Sequence, residues 1–397
     1  MNNSFLKKAA SEFVNNTNEL TVNKEQWKYT KSKKFDSFKD EPIYTDKKIA
    51  VEPRKNEIIL NNGQFVSMDK NLNKNIFVSD INEALNNNHY NCRKVFNKII
   101  SHKSDLFVAY NLAFFNQGFF IHFKNSVTID THITITNYIN NNSCLHSRSL
   151  FSIGVNTNIK LVLQEISTNS YSFNSTCEIF VDKNSHLEIV QSSEKNYTKQ
   201  IANFAANIEK DSILRYSAID INGKLLKNNY FINLIGENSQ CYFNGLNILD
   251  NTDHVDSYIE IIHKNKFTYS NLNFRLITNG KSTSILYAKA IIEKQSSNSE
   301  AYQNNRNLML SNSSTIHANP QLQINNNDVQ CSHASATGDL DEDMIYYMQT
   351  RGIDIKDGKQ LILKGFSDEI INNINIDAIQ LFLKNKIEKY LTNVYQF

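Results

Sequence analysis

Cysteine is scarce in this sequence, and its spacing argues against two kinds of site. The 397 residues include 5 cysteines, an odd number, and no two of them form a Cys-x-x-Cys pair. A disulfide framework needs paired cysteines and a zinc ribbon needs closely spaced ones, so neither is predicted. Because reduced thiols belong to reducing compartments, we expect a cytoplasmic protein. Glu12 and the lack of arginine among the N-terminal residues argue against a transit peptide, so a bacterial cytosol is favoured over a plastid.

Long apolar runs and long charged runs are also absent from the sequence. No stretch approaches the ~18 consecutive apolar residues of a membrane-spanning helix, and the N-terminal residues have no apolar core of secretory length. The formal net charge is only +2, with basic and acidic residues interspersed. We therefore expect no membrane span and no nucleic-acid or lipid-binding patch.

Common catalytic motifs are missing as well. Gly280-Lys281-Ser282 looks like the end of a phosphate loop, but Arg275 stands where that loop requires its first glycine. The sequence has no Gly-x-Ser-x-Gly elbow, no His-Glu-x-x-His pair and no dinucleotide-binding fingerprint. We therefore expect this chain to have no ATP site and no catalytic activity of its own.

The hydrophobic periodicity divides the chain into three regions. Residues 1–118 combine helical spacing with irregular polar stretches, and residues 338–397 show helical spacing again. Between them, residues 119–337 consist of short runs in which apolar and polar residues alternate, separated by Asn-rich breaks. This alternation predicts an all-β body, but it does not distinguish a β-sandwich from a parallel β-helix. Four Asn-Gly pairs favour local hairpins, at residues 62–63, 222–223, 244–245 and 279–280.

Three helices are predicted in the C-terminal region. Asp341 is a suitable N-cap for the first helix, and Gly352 follows its last turn. The second is a short helix that we expect to stop at Gly365. The third begins near Asp377 and has apolar residues at spacings typical of a helix. The all-β body therefore ends in a helical appendage.

The segment 328–333 contains two side chains that could bind a metal together. Cys331 and His333 are two residues apart, so in an extended strand they point to the same side, with about 6.5–7 Å between their Cα atoms. Sulfur and imidazole together suit iron, copper, zinc or sulfide chemistry. Two ligands do not close a metal site, so the remaining ligands would come from elsewhere. The spacing alone also fits a buried cysteine beside a hydrogen-bonded histidine.

Two other functional classes are compatible with an all-β body. Polysaccharide lyases and hydrolases with β-helical bodies use converging carboxylates, for which Asp253, Asp256 and Glu260 come closest. A solvated loop and strand edge explains these three residues equally well. An adhesin-like structural solenoid would carry an export signal, and none is visible. Neither alternative accounts for the C-terminal helices.

Seven segments of the sequence share a resemblance to one protein family. They are residues 25–30, 302–311, 320–324, 328–333, 338–342, 346–353 and 365–366. Together they closely resemble the SufD family of iron–sulfur cluster assembly proteins. Cys331-Ser332-His333 favours SufD over the related SufB, which has Val-Glu-His-Glu-Ala-Thr at this point. The sequence departs from the family pattern at Ala334, because many relatives have glycine after the histidine.

The resemblance implies a mainly β protein, with a right-handed parallel β-helix core flanked by N-terminal and C-terminal helical regions. It also implies a non-catalytic scaffold subunit that pairs with SufB and binds the ABC-type ATPase SufC through its C-terminal helices. Arg351 and Phe366 are candidate contacts for the ATPase. A transient iron–sulfur cluster would form at the SufB–SufD interface, using a SufB cysteine and His333, with Cys331 as a second candidate. Flavin binding and a homodimer in the absence of SufB both stay open.

Overall fold

The computed structural model of the protein describes residues 3–17, 25–41, 49–140, 144–167, 170–194 and 199–394. Its helices are α1 (Asn3–Asn16), α2 (Ile81–Asn86), α3 (Tyr90–Val95), α4 (Leu106–Phe114), α5 (Glu342–Thr350), α6 (Ile355–Ile371) and α7 (Asp377–Val394), with 3-10 helices at Ser32–Phe38 and Lys70–Lys74. Its strands are β1 (Glu57–Asn61), β2 (Gln64–Met68), β3 (Ile76–Asp80), β4 (Gln117–Phe123), β5 (Thr128–Tyr138), β6 (Cys144–Ile153), β7 (Asn158–Ile166), β8 (Ser172–Val181), β9 (His186–Glu194), β10 (Lys199–Ile208), β11 (Ile213–Ile221), β12 (Leu225–Leu234), β13 (Gln240–Leu249), β14 (His254–His263), β15 (Tyr269–Thr278), β16 (Thr283–Ile292), β17 (Ser299–Met309), β18 (Thr315–Ile324) and β19 (Val329–Gly338).

The strands form two sheets that stack into a solenoid. The ten-stranded sheet has the order β19-β17-β15-β13-β11-β9-β7-β5-β1-β2, and the nine-stranded sheet has the order β18-β16-β14-β12-β10-β8-β6-β4-β3. Consecutive strands from β4 onward therefore alternate between the sheets, and each pairs in parallel with the strand two places later. This parallel β-solenoid of about seven turns, flanked by helices, confirms the predicted mainly β architecture with a β-helix core.

Asparagines in the left-handed conformation explain the Asn-rich breaks between strands. Asn156, Asn184, Asn238 and Asn298 each precede a strand of the ten-stranded sheet and have φ values of 56°, 55°, 58° and 56°. Asparagine adopts this conformation at lower cost than other residues that have a Cβ. Asparagines that separate the strand patterns in the sequence therefore turn the chain at four coils of the solenoid, whereas Ser126, Asp211 and Phe267 have the same conformation before β5, β11 and β15.

Apolar and aromatic side chains fill the lumen between the two sheets. The rings of Tyr216 and Tyr230 lie 5.3 Å and 4.8 Å from that of Phe243, measured between centroids. Gly245 on β13 makes room for the next ring along, because a Cβ at this position would lie 2.0 Å from the ring of Phe274. Around β13 and β15 the lumen is therefore a packed core, in which a glycine inside a strand has a specific steric reason.

The Asn-Gly pairs differ in their structural roles. Asn62 and Gly63 both have positive φ, and they join β1 to β2 in the antiparallel hairpin that was predicted. The hairpin prediction is wrong at the other three pairs. Residues 222–223 and 279–280 lie in turns between strands of different sheets, and residues 244–245 lie inside β13. A solenoid turn needs a left-handed residue just as a hairpin does, so the dipeptide alone does not separate them.

The C-terminal helices agree with the sequence prediction except at one boundary. The side chain of Asp341 caps α5, and α7 begins at Asp377. However, α6 continues past Gly365 for six residues, so the predicted stop is wrong. Gly365 is exposed on α6, whereas Ile370 and Ile371 are fully buried against the solenoid. This burial outweighs the unfavourable helix propensity of about 1 kcal/mol for one glycine.

The two terminal regions cover opposite outer faces of the solenoid. Helices α1–α4 and the 3-10 helix at Ser32–Phe38 pack on the nine-stranded sheet, and β1–β3 extend the two sheets at their N-terminal ends. Helices α6 and α7 pack on the ten-stranded sheet. Within the described ranges, no helix is long and apolar enough to cross a membrane. Strands β18 and β19, at the far end of the solenoid, are mostly half-buried or exposed.

Candidate functional site

The solenoid ends at two edge strands. In the part of the chain that the structure describes, β19 pairs with β17 alone and β18 pairs with β16 alone. Every residue of β19 is exposed or half-buried, whereas β17 buries every second residue from Ser299 to Asn307. The outer side of an edge strand presents N–H and C=O groups that can pair with a strand from another chain. This end of the solenoid is therefore suited to protein–protein contact.

Cys331 and His333 lie on β19 and share one face of it. In the parallel register, Cys331 is beside Ala301 and His333 is beside Gln303. Register partners point to the same side of a sheet, and Ala301 and Gln303 are both buried between the sheets, at 0% and 6% exposure. Cys331 and His333 are therefore on the lumen face of β19, at the open end of the solenoid.

The two side chains have different surroundings. Cys331 is half-buried and packs against the apolar cluster of Ala290, Ile292 and Ala301. Burial raises the pKa of the Cys331 thiol, and a backbone hydrogen bond from Ala301 partly opposes this shift. His333 is exposed. Because the thiolate is the form that binds metals, the raised pKa makes Cys331 a weaker ligand at neutral pH. The imidazole of His333 is the more accessible donor of the pair.

Two donors do not complete a metal site. Among the residues that the structure describes, no group of three or more His, Cys, Asp or Glu side chains is arranged to hold a metal ion. Structural zinc sites and iron–sulfur clusters each use about four protein ligands. A metal or a cluster bound at His333 would therefore need ligands from beyond the described part of this chain.

Comparison with known proteins decides the family of this chain. Residues 135–366 match the family model described as "SUF system FeS cluster assembly, SufBD core domain". The match runs from β5 into α6 and includes both Cys331 and His333. The chain belongs to the SufBD family.

Similar curated proteins are named as SufBD proteins as well. A SufBD family protein of Mycobacterium tuberculosis is 26% identical over 223 residues, which cover 54% of this chain and 56% of that protein. A SufBD family protein of Synechocystis is 27% identical over 213 residues, covering 53% and 47%. The iron–sulfur cluster assembly protein SufD of Escherichia coli is 24% identical over 205 residues, covering 51% and 48%. The chain spans about half the length of the curated relatives it matches.

The two candidate ATPase contacts of this SufBD chain have different positions. Arg351 is exposed just after α5, where it donates to the hydroxyl of Tyr347 at 3.1 Å and lies 5.2 Å from its ring centroid. Phe366 is half-buried between α6 and the ten-stranded sheet, with the guanidinium of Arg275 5.7 Å from its ring. Neither residue is on β18 or β19. Arg351 is available at the surface, whereas Phe366 contributes to packing.

Arg275, which stands in place of the phosphate-loop glycine, anchors α6 to the solenoid. Its guanidinium donates to the carboxylate of Glu369 at 3.0 Å and 2.6 Å, and its side chain is 6% exposed. The following residues 279–282 form a turn between β15 and β16. The region that looks like part of a phosphate loop therefore has a structural explanation within the SufBD fold.

Residues 25–30, one of the segments that resemble the SufD family, connect the N-terminal region to the nine-stranded sheet through hydrogen bonds. The indole N–H of Trp27 donates to Asp105 at 2.6 Å. The hydroxyl of Thr30 donates to Asp256 at 2.5 Å, and Asp256 also pairs with Lys227 at 2.8 Å. These groups are buried or half-buried, so the segment has a packing role. The ring of Tyr29 also stacks on that of His317 in β18, with 4.3 Å between the centroids.

The three carboxylates considered for a lyase or hydrolase have structural partners. Asp256 is held by its buried ion pair with Lys227, whose side chain is 0% exposed. Glu260 accepts a hydrogen bond from the hydroxyl of Tyr258 at 3.0 Å. Asp253 accepts a backbone N–H within its own turn. These interactions explain the carboxylates without a catalytic role. The solvated-loop interpretation is wrong for Asp256, which is 2% exposed on β14.

Sequence reasoning missed a row of buried amides beside β19. Gln303, Asn305 and Asn307 on β17 are 6%, 2% and 3% exposed and face the lumen. Asn305 and Asn307 are hydrogen-bonded to Ser335 and Thr337 of β19. Period-two spacing in the segment 302–311 was the available signal, but alternating polar residues in a strand are normally assigned to the solvent side.

Proposed function

We propose that this protein is a SufD-type scaffold subunit for iron–sulfur cluster assembly, in which His333 supplies one ligand to a cluster completed by a SufB-like subunit. The observation that carries the proposal is an exposed imidazole on the edge strand of a SufBD-family solenoid. The cluster is cargo that forms transiently at the subunit interface. Cys331 is a second donor whose half-buried thiol contributes less.

The proposed contact with the SufB-like subunit uses the edges of β18 and β19. Strand addition would satisfy the outer backbone groups of both strands and would bring the partner's ligands next to His333. Pro320 in β18 has no N–H, so it interrupts the row of donors and restricts the register in which a second strand can pair. The same edges would allow two copies of this chain to form a homodimer when the SufB-like subunit is absent.

The C-terminal helices are the proposed docking surface for a SufC-like ABC-type ATPase. Met344, Tyr346 and Tyr347 on α5 are 46%, 70% and 57% exposed, and Arg351 lies against Tyr347. Aromatic residues, methionine and arginine are the residue types enriched at protein interfaces. In this proposal the ATPase supplies the nucleotide-driven motion in the cytoplasm, and the present chain supplies a non-catalytic, rigid half of the site.

Reconstitution of iron and sulfide onto the purified complex tests the role of His333. We expect His333→Ala to lower the cluster absorption by about tenfold or more, because one ligand is lost. His186→Ala is the matched control, since His186 is another exposed histidine on the ten-stranded sheet. Cys331→Ser should have a smaller effect than His333→Ala. Undiminished cluster formation with His333→Ala would remove this residue from the mechanism.

The ATPase contact is tested by binding measurements with α5 variants. The double substitution of Tyr347→Ala and Arg351→Ala should weaken binding of the ATPase subunit by about tenfold, because both residues are of types that dominate interface energies. Tyr90→Ala removes an aromatic ring that is 78% exposed in the N-terminal region and serves as the control. Equal binding by the double variant and the wild type would place the contact elsewhere.

A further inference from the structure

Polar side chains of β17 and β19 form pairs on the lumen face at the open end of the solenoid. The register pairs are Asn307 with Thr337, Asn305 with Ser335, and Gln303 with His333. In the first pair, Nδ2 of Asn307 donates to Oγ1 of Thr337 at 2.9 Å. In the second, Oγ of Ser335 donates to Oδ1 of Asn305 at 3.1 Å. Two of the three pairs are therefore joined across the ladder.

The third pair contains a buried amide whose orientation is already determined. Nε2 of Gln303 donates to the backbone carbonyl of Gln321 on β18 at 3.2 Å. Because only the NH2 group of the amide can donate, this bond identifies Oε1 as the other end. Gln303 is 6% exposed, and its Oε1 has no hydrogen-bond partner within the described residues. A buried carbonyl without a donor is unfavourable, so a missing donor is expected nearby.

The neighbours of Gln303 on the lumen face include few hydrogen-bond donors. On β15 its register partner is Leu272, which has no polar group. Along β17, Ala301 has no side-chain donor. Nδ2 of Asn305 is not bonded to Oε1 of Gln303, since each of these two atoms lacks a hydrogen-bond partner among the described residues. On β19 the register partner of Gln303 is His333, whose exposed ring can change rotamer freely. On either side of His333, Ser335 already donates to Asn305, and Cys331 has only a weak thiol donor.

We propose that Gln303 is a positioning residue for His333, and that its Oε1 accepts a hydrogen bond from one ring nitrogen of the imidazole. The lone pair of the other ring nitrogen is then directed toward the partner subunit. The importance of this bond for cluster assembly rests on the function proposed above for His333. Its formation completes the third of the three polar pairs and satisfies the buried carbonyl.

The hydrogen bond would prepare His333 for metal binding in two ways. Histidines that bind metals usually donate their other ring N–H to an oxygen acceptor, which selects one tautomer and one ring orientation. An exposed histidine without such an acceptor samples several rotamers and both neutral tautomers. Gln303 is held by β18 and lies on β17, so it links the position of His333 to both sheets.

The direct test is to measure the tautomer of His333 from its ring nitrogen-15 chemical shifts in the full-length chain. The spectra are recorded at a pH at which the ring is neutral, and His333→Ala identifies the resonances. We expect a single tautomer in the wild type and a mixture in Gln303→Leu. Gln303→Glu keeps an oxygen acceptor and should restore the single tautomer. Gln330→Leu alters the other face of β19 and should leave the wild-type pattern unchanged.

Cluster formation on the complex is the second measurement. Gln303→Leu should lower the rate or yield about tenfold, as is typical for partners of metal ligands, and Gln303→Glu should recover most of it. Identical tautomer mixtures in the wild type and Gln303→Leu would overturn the positioning role, even if His333→Ala abolishes cluster formation. If His333→Ala forms clusters normally, the proposed function is wrong. The tautomer measurement still shows whether the hydrogen bond between Gln303 and His333 forms.

Discussion

The two outer faces of the solenoid are covered by different kinds of interaction. On the nine-stranded sheet, Glu178 of β8 accepts the backbone N–H groups of residues 97–99 at 2.8–3.0 Å. It also forms an ion pair with Arg148 at 2.7 Å, and both side chains are 0% exposed. On the ten-stranded sheet, α6 and α7 contribute buried aliphatic residues such as Leu363 and Ile371. The ion pair there, between Arg275 and Glu369, has a carboxylate that is 45% exposed.

This difference predicts how each covering of the solenoid tolerates amino-acid substitutions. A buried ion pair adds little net stability compared with an apolar pair, but breaking it leaves an uncompensated charge. Its partners must also keep their directions, because hydrogen bonds are angular. Aliphatic contact depends mainly on buried area and volume, so similar side chains can replace one another. The N-terminal covering (α1–α4 and the 3-10 helix at Ser32–Phe38) should therefore depend on precise geometry. The C-terminal covering (α6 and α7) should tolerate replacement by side chains of similar size.

The largest effect is expected from breaking the buried network on the nine-stranded sheet. Glu178→Ala leaves Arg148 buried without its partner and removes the acceptor of three N–H groups, so we expect a loss of about 3–5 kcal/mol in the free energy of unfolding. Urea denaturation followed by circular dichroism measures this loss. Asp182→Ala is the control, because its ion pair with Lys94 is partly exposed and should contribute at most about 1 kcal/mol. Similar small losses in both variants would contradict the comparison.

A smaller but still clear effect is expected under α6. Leu363→Ala removes a fully buried side chain from the aliphatic contact and should cost about 3 kcal/mol in the free energy of unfolding. Leu363→Met nearly conserves the volume and should lower the free energy of unfolding by less than about 1.5 kcal/mol. The equally conservative Glu178→Gln should lower it by more, because it leaves Arg148 buried without its charged partner. Leu361→Ala, on the exposed side of α6 at 48% exposure, is the control. A reversed order of the two conservative variants would overturn the distinction between the faces.

The local elements of the fold could be predicted from the sequence, whereas the arrangement of the sheets could not. The alternation of Leu272, Phe274 and Leu276 predicts β15 because period two is a property of adjacent residues. The same alternation does not specify which strand pairs with which, so the β-helix followed from the family resemblance. The end of α6 was missed because the burial of Ile370 and Ile371 against β13 and β15 is a tertiary effect.

The candidate site was likewise predictable only in part. The common face of Cys331 and His333 follows from their spacing in an extended strand. The position of Gln303 in the lumen could not be predicted, since a polar residue in an alternating strand is expected to face solvent. The burial of Asp105 and Lys227 was also not predicted. Charged residues are rarely buried unless they are paired, and the sequence does not identify the partners.

Acid should loosen the N-terminal covering before the C-terminal one. Burial lowers the pKa of His146 to about 3 and, together with nearby Lys34, lowers that of His254 to about 4, against an ordinary value of 6.5. Between pH 6.5 and pH 4 the unfolded state therefore binds more protons, so stability falls as the pH falls. From pH 7 to pH 5, His146 alone should cost about 2 kcal/mol. The raised pKa of buried Asp105 acts in the opposite direction and reduces the net effect.

The single tryptophan of the chain makes this pH effect measurable. Trp27 packs on Phe107 in the N-terminal covering, with ring centroids 5.1 Å apart. Its fluorescence should shift to longer wavelength on acidification before the β-sheet circular dichroism changes. His146→Leu should lessen the shift, because it removes the largest proton uptake. The contact beneath α6 and α7 is formed mainly by aliphatic side chains, which do not titrate. Simultaneous loss of both signals would show that the two coverings do not differ in acid sensitivity.

The smallest effect is expected at a turn that belongs to neither covering. Phe267 has φ 58° and is 49% exposed, at the position where other coils have Asn156 or Asn238. A left-handed conformation is strained for a bulky residue and accessible to asparagine, so Phe267→Asn should stabilise the protein by about 1 kcal/mol. Asn156→Phe makes the reverse change at an exposed turn and should destabilise it by a similar amount. If Phe267→Asn instead lowers the unfolding midpoint in urea, the exposed ring contributes contacts that outweigh its backbone strain.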